Sequence, residues 1–355
     1  MKIKPTFMTL FALVLWQLHS AILPPGRVVG WGSNIAGEAT GTPSPESYFS
    51  TGLVAVAGQV LSNVVAVSAG RGHSLALAAN GTVYAWGANA SPPATGVKTD
   101  YPHKAGGEVM HAGRLLTNVT AITAGGGFSL ALKDDGTVAG WGGGLSSGNY
   151  SHLSVPPGLS NIIAIAAGWS HSIALQRDGS VIGWGDPPVP AGLSNIVAIA
   201  AGGGGYAPNL ALTRDGTVFQ WTTGALERVP AGLSNVVGIA AGEGHSLALM
   251  SDGTVVGWGS NRFGEATGVP TTAFPHYSRG VVVIAGQPLS NATAIAADTK
   301  LSLALRRDGT VVTWGYNGFH QTDVPAGLKG VVAIAAGEGF CLAVTTNTAA
   351  WPANK

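Results

Sequence analysis

Residues 245–259, "HSLALMSDGTVVGWG", recur in close copies along the chain, and whether they form a site or a scaffold decides the fold. A site is built once from unlike residues, whereas a scaffold unit repeats because each copy buries the next. Working outward, each unit is an inner segment like "LSNVVAIAAG", a short loop, a run like "HSLAL", a turn and a run like "TVVGWG". The inner segment occurs seven times, ending at Gly70, Gly125, Gly168, Gly202, Gly242, Asp298 and Gly337. The closing tryptophan also occurs seven times, at Trp31, Trp86, Trp141, Trp184, Trp221, Trp258 and Trp314. The two series are out of phase, because Trp31 has no inner segment before it and residues 328–337 have no "WG" after them. A linear stack has no reason to begin with half a unit and end with the other half. A closed ring does, if "GRVVGWG" (26–32) pairs with "GFCLAVTT" (339–346) and leaves no open edge. The expectation is an all-β, seven-bladed propeller whose last blade is shared between the two ends of the chain.

Each run is short, rich in Val, Ile, Ala and Leu, and bounded by Gly, Asn or Asp, which is strand-like. No segment keeps a helical period. The "NG" at 80–81 and the "DG" at 135–136, 178–179, 215–216, 252–253 and 308–309 predict two-residue hairpins, since both positions tolerate positive φ. Four connectors are tight "VPAGLSN"-like pieces, whereas 33–60, 88–115 and 260–288 are long and make one side of the disc bulkier.

Residues 1–21 are expected to be an export signal: Lys2 and Lys4 precede an apolar run from Phe7 to Trp16 that is too short to span a bilayer. The propeller then occupies 26–346 and a tail 347–355, which places the protein outside the cell or in its envelope, with no membrane span once the signal is removed. Charged residues make up 10% of the chain and the net charge is +1, against about 25% charged residues in typical soluble proteins. That balance argues against nucleic acid as a partner. The lone Cys341 excludes an internal disulfide, and burial in a strand is its expected role.

"AAGEGHSLALMSDGTVVGWGSNRFGE" (240–265) and "SAGRGHSLALAANGTVYAWGANA" (68–90) resemble the repeat of the regulator-of-chromosome-condensation propellers, and the resemblance covers about 26–346. Within that family the "VPAGLSN" connectors and the leader are most similar to secreted bacterial members such as the β-lactamase-inhibitor propeller. The resemblance implies a seven-bladed fold and a binding role. Inhibitor-type binding through aromatic residues in the loop before the second strand maps onto Gly72, Gly127, Ser170, Gly244, Lys300 and Gly339, where those aromatics are mostly missing.

His73, His171 and His245 share one slot of the repeat with Phe128, Leu301 and Phe340, which marks packing; no metal or cofactor is expected. The seven repeat tryptophans read as core. Trp169 stands outside their register, in a loop at the mouth of the ring, and is expected to be an exposed contact. Tyr206, Arg71, Glu243, Glu338 and Asp298 complete the candidate binding set. The reading is an exported, monomeric, non-catalytic scaffold that contacts a protein or a cell-surface polymer. The alternatives are a glycan hydrolase or lyase using Glu243, Asp298 and Glu338, and a β-lactamase-inhibitor-like protein.

Overall fold

The structure, a computed structural model, describes residues 24–347 except 45, 89–103, 144–153, 186, 205–206, 225 and 228; the proposed leader and most of the tail lie outside the described residues. Among the described residues all regular structure is β, in seven antiparallel blades that follow the repeat. Blade 1 runs outward from the axis as Val64–Ala69, His73–Ala78, Val83–Ala88 and Lys104–Glu108. Blade 2 is Val119–Ala124, Phe128–Lys133 and Val138–Gly142, and blade 3 is Ile162–Ala167, His171–Gln176 and Val181–Gly185. Blade 4 is Ile196–Ala201, Asn209–Thr213, Val218–Trp221 and Leu226–Glu227. Blade 5 is Val236–Ala241, His245–Met250, Val255–Ser260 and Tyr277–Val281, and blade 6 is Ala292–Asp298, Leu301–Arg306 and Val311–Gly315.

The seventh blade joins the two ends of the chain, in the order Val331–Gly337, Phe340–Thr345, Arg27–Ser33 and Phe49–Leu53. Trp31 pairs with Cys341 and Gly32 with Phe340, so the out-of-phase counts are those of a closed ring. Gly26 also bridges Val64, tying the closing blade to blade 1.

Seven hydrophobic clusters sit one at each blade junction, including the 7–1 junction where Val28 and Leu342 meet Val67 and Trp86. Burial between blades is therefore continuous around the ring. The innermost strands enclose an axial channel of about 230 Å³ to which all seven contribute. At one level of it stand Val67, Ile122, Ile165, Ile199, Ile239, Ile295 and Ile334, and alanines occupy most of the rest of the lining. Small side chains are what the crowded axis permits.

The "NG" and "DG" turns differ from the two-residue form expected. Only the glycine has positive φ, and in blade 2 Gly136 N–H donates to Lys133 O while Lys133 N–H donates to Thr137 O. That is a type I turn followed by one left-handed residue. Asp135 fixes it by accepting from the backbone N–H and hydroxyl of Thr137, so the acid is there for its side-chain acceptor and not for its tolerance of positive φ. Two-residue turns with both φ positive occur instead at Ala57-Gly58, Ala112-Gly113 and Ala285-Gly286. They close small ribbons in the long connectors, such as the Ala55–Val56 and Gln59–Val60 pair. The same connectors supply the fourth strands of blades 7, 1 and 5.

Candidate functional site

The repeated residues are scaffold. All seven repeat tryptophans are buried. Trp86 Nε1 donates to Glu38 O at 2.9 Å, and Ser74 Oγ donates to the same carbonyl at 2.7 Å. Trp314 and Ser302 treat Glu265 O in the same way. Glu38 and Glu265 are themselves buried within "SNIAGEATG" (33–41) and "SNRFGEATG" (260–268). The histidines clasp neighbouring blades: His73 Nε2 lies 2.9 Å from Ser129 Oγ, His171 Nε2 2.6 Å from Asn209 Oδ1, and His245 Nε2 2.8 Å from Ser302 Oγ. Burial pushes the imidazoles of His73 and His245 down to about 4, against a weaker upward pull from the Phe128 backbone and from Glu265 respectively. Among the described residues no group of three His, Cys, Asp or Glu is placed to hold a metal ion.

These rings dictate the mouth. A Cβ on Gly125 would fall 2.5 Å from Phe128 Cε1 and 2.5 Å from Gly168 O of the next blade, and Gly70, Gly168 and Gly242 are crowded in the same way by their histidines. Glycine is thus required wherever an aromatic ring fills the slot three residues on. Blade 6 has Leu301 in that slot, and there alone an acid, Asp298, replaces the glycine. Burial pushes the Asp298 carboxyl up to about 7, and the negative charges of Glu338 and Glu243 act in the same direction. Hydrogen bonds from the Thr299 backbone and hydroxyl oppose that rise.

At this end of the channel the structure brings most of the candidate residues together. Trp169, from blade 3, lies against three other blades. Cβ atoms built on Gly126 and Gly203 would fall 2.8 Å from its carbonyl oxygen and 2.5 Å from its Nε1. The Arg71 guanidinium from blade 1 stands 4.8 Å above its ring. Trp169 is therefore half-buried across the mouth, which corrects the expectation of a freely exposed ring: two glycines leave a seat that the indole fills. Arg71 Nε also pairs with Glu338 of blade 7 at 2.9 Å, with side chains 57% and 36% exposed, so the pair orders the loop more than it stabilises the fold. Arg71, Trp169 and Asp298 line a polar cavity of about 130 Å³ at the channel entrance. Tyr206 lies outside the described residues.

The three acids border different features of the mouth face, yet Glu338 and Glu243 are near enough for their charges to push the Asp298 carboxyl up. Asp298 lines the channel entrance, Glu338 lines the adjoining cleft, and Glu243 packs toward Gly204 of blade 4. Hydrolysis by a carboxylate pair needs two acids about 5–9 Å apart across one substrate. Asp298 can hold a proton near neutrality, and Arg71 holds Glu338 in an ion pair.

A second group was not singled out from the sequence. On the same face, the Arg262 and Lys300 charges each stand 5.6 Å from the Phe263 ring centroid. Phe263 meets Tyr316 edge-on at 5.0 Å, and Tyr316 meets Phe319 at 6.3 Å. Lys300, Tyr316, Phe319 and Glu338 line a cleft of about 130 Å³ between blades 6 and 7. The available signal was the pair of connectors "SNRFGE" (260–265) and "GYNGFH" (315–320), which put aromatics just after the third strand of adjacent units.

The family model for the regulator of chromosome condensation (RCC1) repeat matches residues 64–91, 119–149, 162–187 and 236–265, which fall on blades 1, 2, 3 and 5. Four of the seven blades carry RCC1 repeats. Those four units carry the Gly and ring pattern intact, whereas unit four has "GGGGYAPN", unit six has Asp298 with Leu301, and unit seven is split between the ends. Yeast RCC1 (Prp20), seen in a crystal structure bound to Kap60, superposes with a TM-score of 0.71 at 17% identity over 98% of this chain and 95% of that one. Human WBSCR16 gives 0.66 at 16% identity over 90% and 100%. Likeness at such identities is one of fold. The human probable E3 ubiquitin-protein ligase HERC6 is 32% identical over 127 residues, which are 35% of this chain and 12% of that protein. The chain therefore matches only about an eighth of the length of that relative.

Proposed function

We propose that this RCC1-repeat propeller is an exported, non-catalytic scaffold that holds a partner protein on its mouth face. The observation that carries the reading is the grouping of Trp169, Arg71 and Glu338, from blades 3, 1 and 7, at one end of a rigid ring. Tryptophan and arginine dominate interface energies, and loop positions that differ between like units can gain contacts without disturbing the strands. A Prp20p crystal structure from Saccharomyces cerevisiae is described together with that protein's binding to Gsp1p and histones, so a likeness of 0.70 in TM-score connects this fold to protein binding elsewhere. Export rests on the composition of residues 1–21, which also supports a partner outside the cell or in its envelope.

Trp169→Ala should weaken the partner by more than 1 kcal/mol, about fivefold, with the melting temperature unchanged. Titration calorimetry and a thermal melt on the same preparations read both. Intact affinity, or a collapse of the melt, would remove Trp169 from the contact surface. A polysaccharide recovered in place of a protein would replace the proposed partner class.

A further inference from the structure

We propose that the cleft between blades 6 and 7 takes an apolar side chain from an acidic segment of the partner protein, with Lys300 and Arg262 meeting the flanking carboxylates. This deepens the mouth-face reading and rests on it. The cleft floor combines Leu301 with the rings of Tyr316 and Phe319, and Phe319 is 37% exposed. Buried apolar area of that kind attracts an apolar side chain but does not select its surroundings.

Charge makes the selection. Glu338 also lines the cleft, but its carboxylate is held by Arg71. Asp298 faces the channel entrance and Glu243 packs toward blade 4, so neither answers the cations on this side. The described ion pairs, Arg71–Glu338, Lys133–Asp135 and His320–Asp323, include neither Arg262 nor Lys300. Both cations are exposed and both stand over one face partner, Phe263, which fixes them beside the aromatic strip at modest energy. Two uncompensated positive charges next to an apolar cleft are complementary to a carboxylate on either side of an apolar residue. A basic segment would meet repulsion there, and a neutral glycan would leave both cations unanswered.

The test uses a fluorescein-labelled peptide carrying Asp-Glu-Phe-Asp-Glu between Gly-Ser flanks, with two controls: Lys for every acid, and Ala for the Phe. Fluorescence anisotropy with the full chain should show saturable binding of the first peptide alone, weakening as salt rises. Lys300→Glu should lower its affinity about tenfold or more, and Phe319→Ala should lower it with less change in salt dependence. Asp178→Asn, at the exposed turn on the opposite end of blade 3, should leave peptide binding unchanged. Equal binding of the basic peptide, or indifference to both cleft variants, overturns the assignment. If no peptide binds while Trp169→Ala still weakens the partner, the cleft is wrong and the mouth-face reading stands. Because Lys300 is exposed, Lys300→Glu should retain the wild-type melt, and the Phe319→Ala arm reads the cleft independently of the charge change.

Discussion

Acid should unlock the ring at its histidine clasps. His73 and His245 have imidazoles lowered by burial from 6.5 to about 4. The unfolded chain takes up these protons below about pH 6.5, and the folded chain resists until about pH 4. Their contribution is therefore full above pH 6.5 and is lost as pH falls toward 4. A gap of about 2.5 units amounts to roughly 3 kcal/mol for each histidine across that window. Asp298 runs the other way, because a carboxyl raised from 3.8 to about 7 contributes stability at low pH that fades as pH climbs toward neutrality. The histidine term is isolated by His73→Phe and His245→Phe, since Phe128 and Phe340 already fill this slot against Gly125 and Gly337. Each replacement gives up one bond, to Ser129 or Ser302, and should cost about 1 kcal/mol at pH 7.5. By about pH 5 the wild-type imidazole has lost roughly 2 kcal/mol, so the stability curves of wild type and variant should cross between about pH 5 and 6. Urea unfolding followed by tryptophan fluorescence from pH 4 to 8 measures the crossing. Parallel curves over that range would refute the assignment of buried, neutral imidazoles.

Gly125→Ala should destabilise by 2 kcal/mol or more, because the new methyl meets both the Phe128 ring and the carbonyl of Gly168, and a urea midpoint checks it. Deleting 1–32 removes Arg27–Gly32 and the fully buried Trp31, which should cost at least the roughly 3–5 kcal/mol of a Trp truncation, while deleting 1–21 should leave the melting temperature unchanged. Equal melts for the two truncations would mean that the ring is not closed by that strand.

The architecture was legible because repetition multiplies weak signals. One "TVVGWG" is only a strand, but seven of them out of phase with seven inner segments specify closure, and the pairing of Trp31 with Cys341 is that closure. The scaffold roles of the histidines and tryptophans followed from slot equivalence alone. The turn type did not, because Asp-Gly suits more than one hairpin and the choice depends on a side-chain bond from Asp135 to Thr137 that spacing does not encode. The mouth residues were found by their departure from the repeat, but the burial of Trp169 depends on Gly126 and Gly203, which come from other units and meet it only in space. The Phe263, Tyr316 and Phe319 strip escaped for the same reason. Each ring sits in a connector that looks like spacer until the ring of blades sets adjacent connectors side by side.

The central claim is that partners are held on the mouth face of a rigid ring. A photo-reactive amino acid placed at Ser170, an exposed position beside Trp169, and separately at Asp178, an exposed turn at the other end of blade 3, compares the two faces in one preparation. With the partner present, irradiation should give a covalent adduct from position 170 that is lost in the Trp169→Ala background, and none from position 178. An adduct from position 178, or one from position 170 that survives Trp169→Ala, would contradict the account.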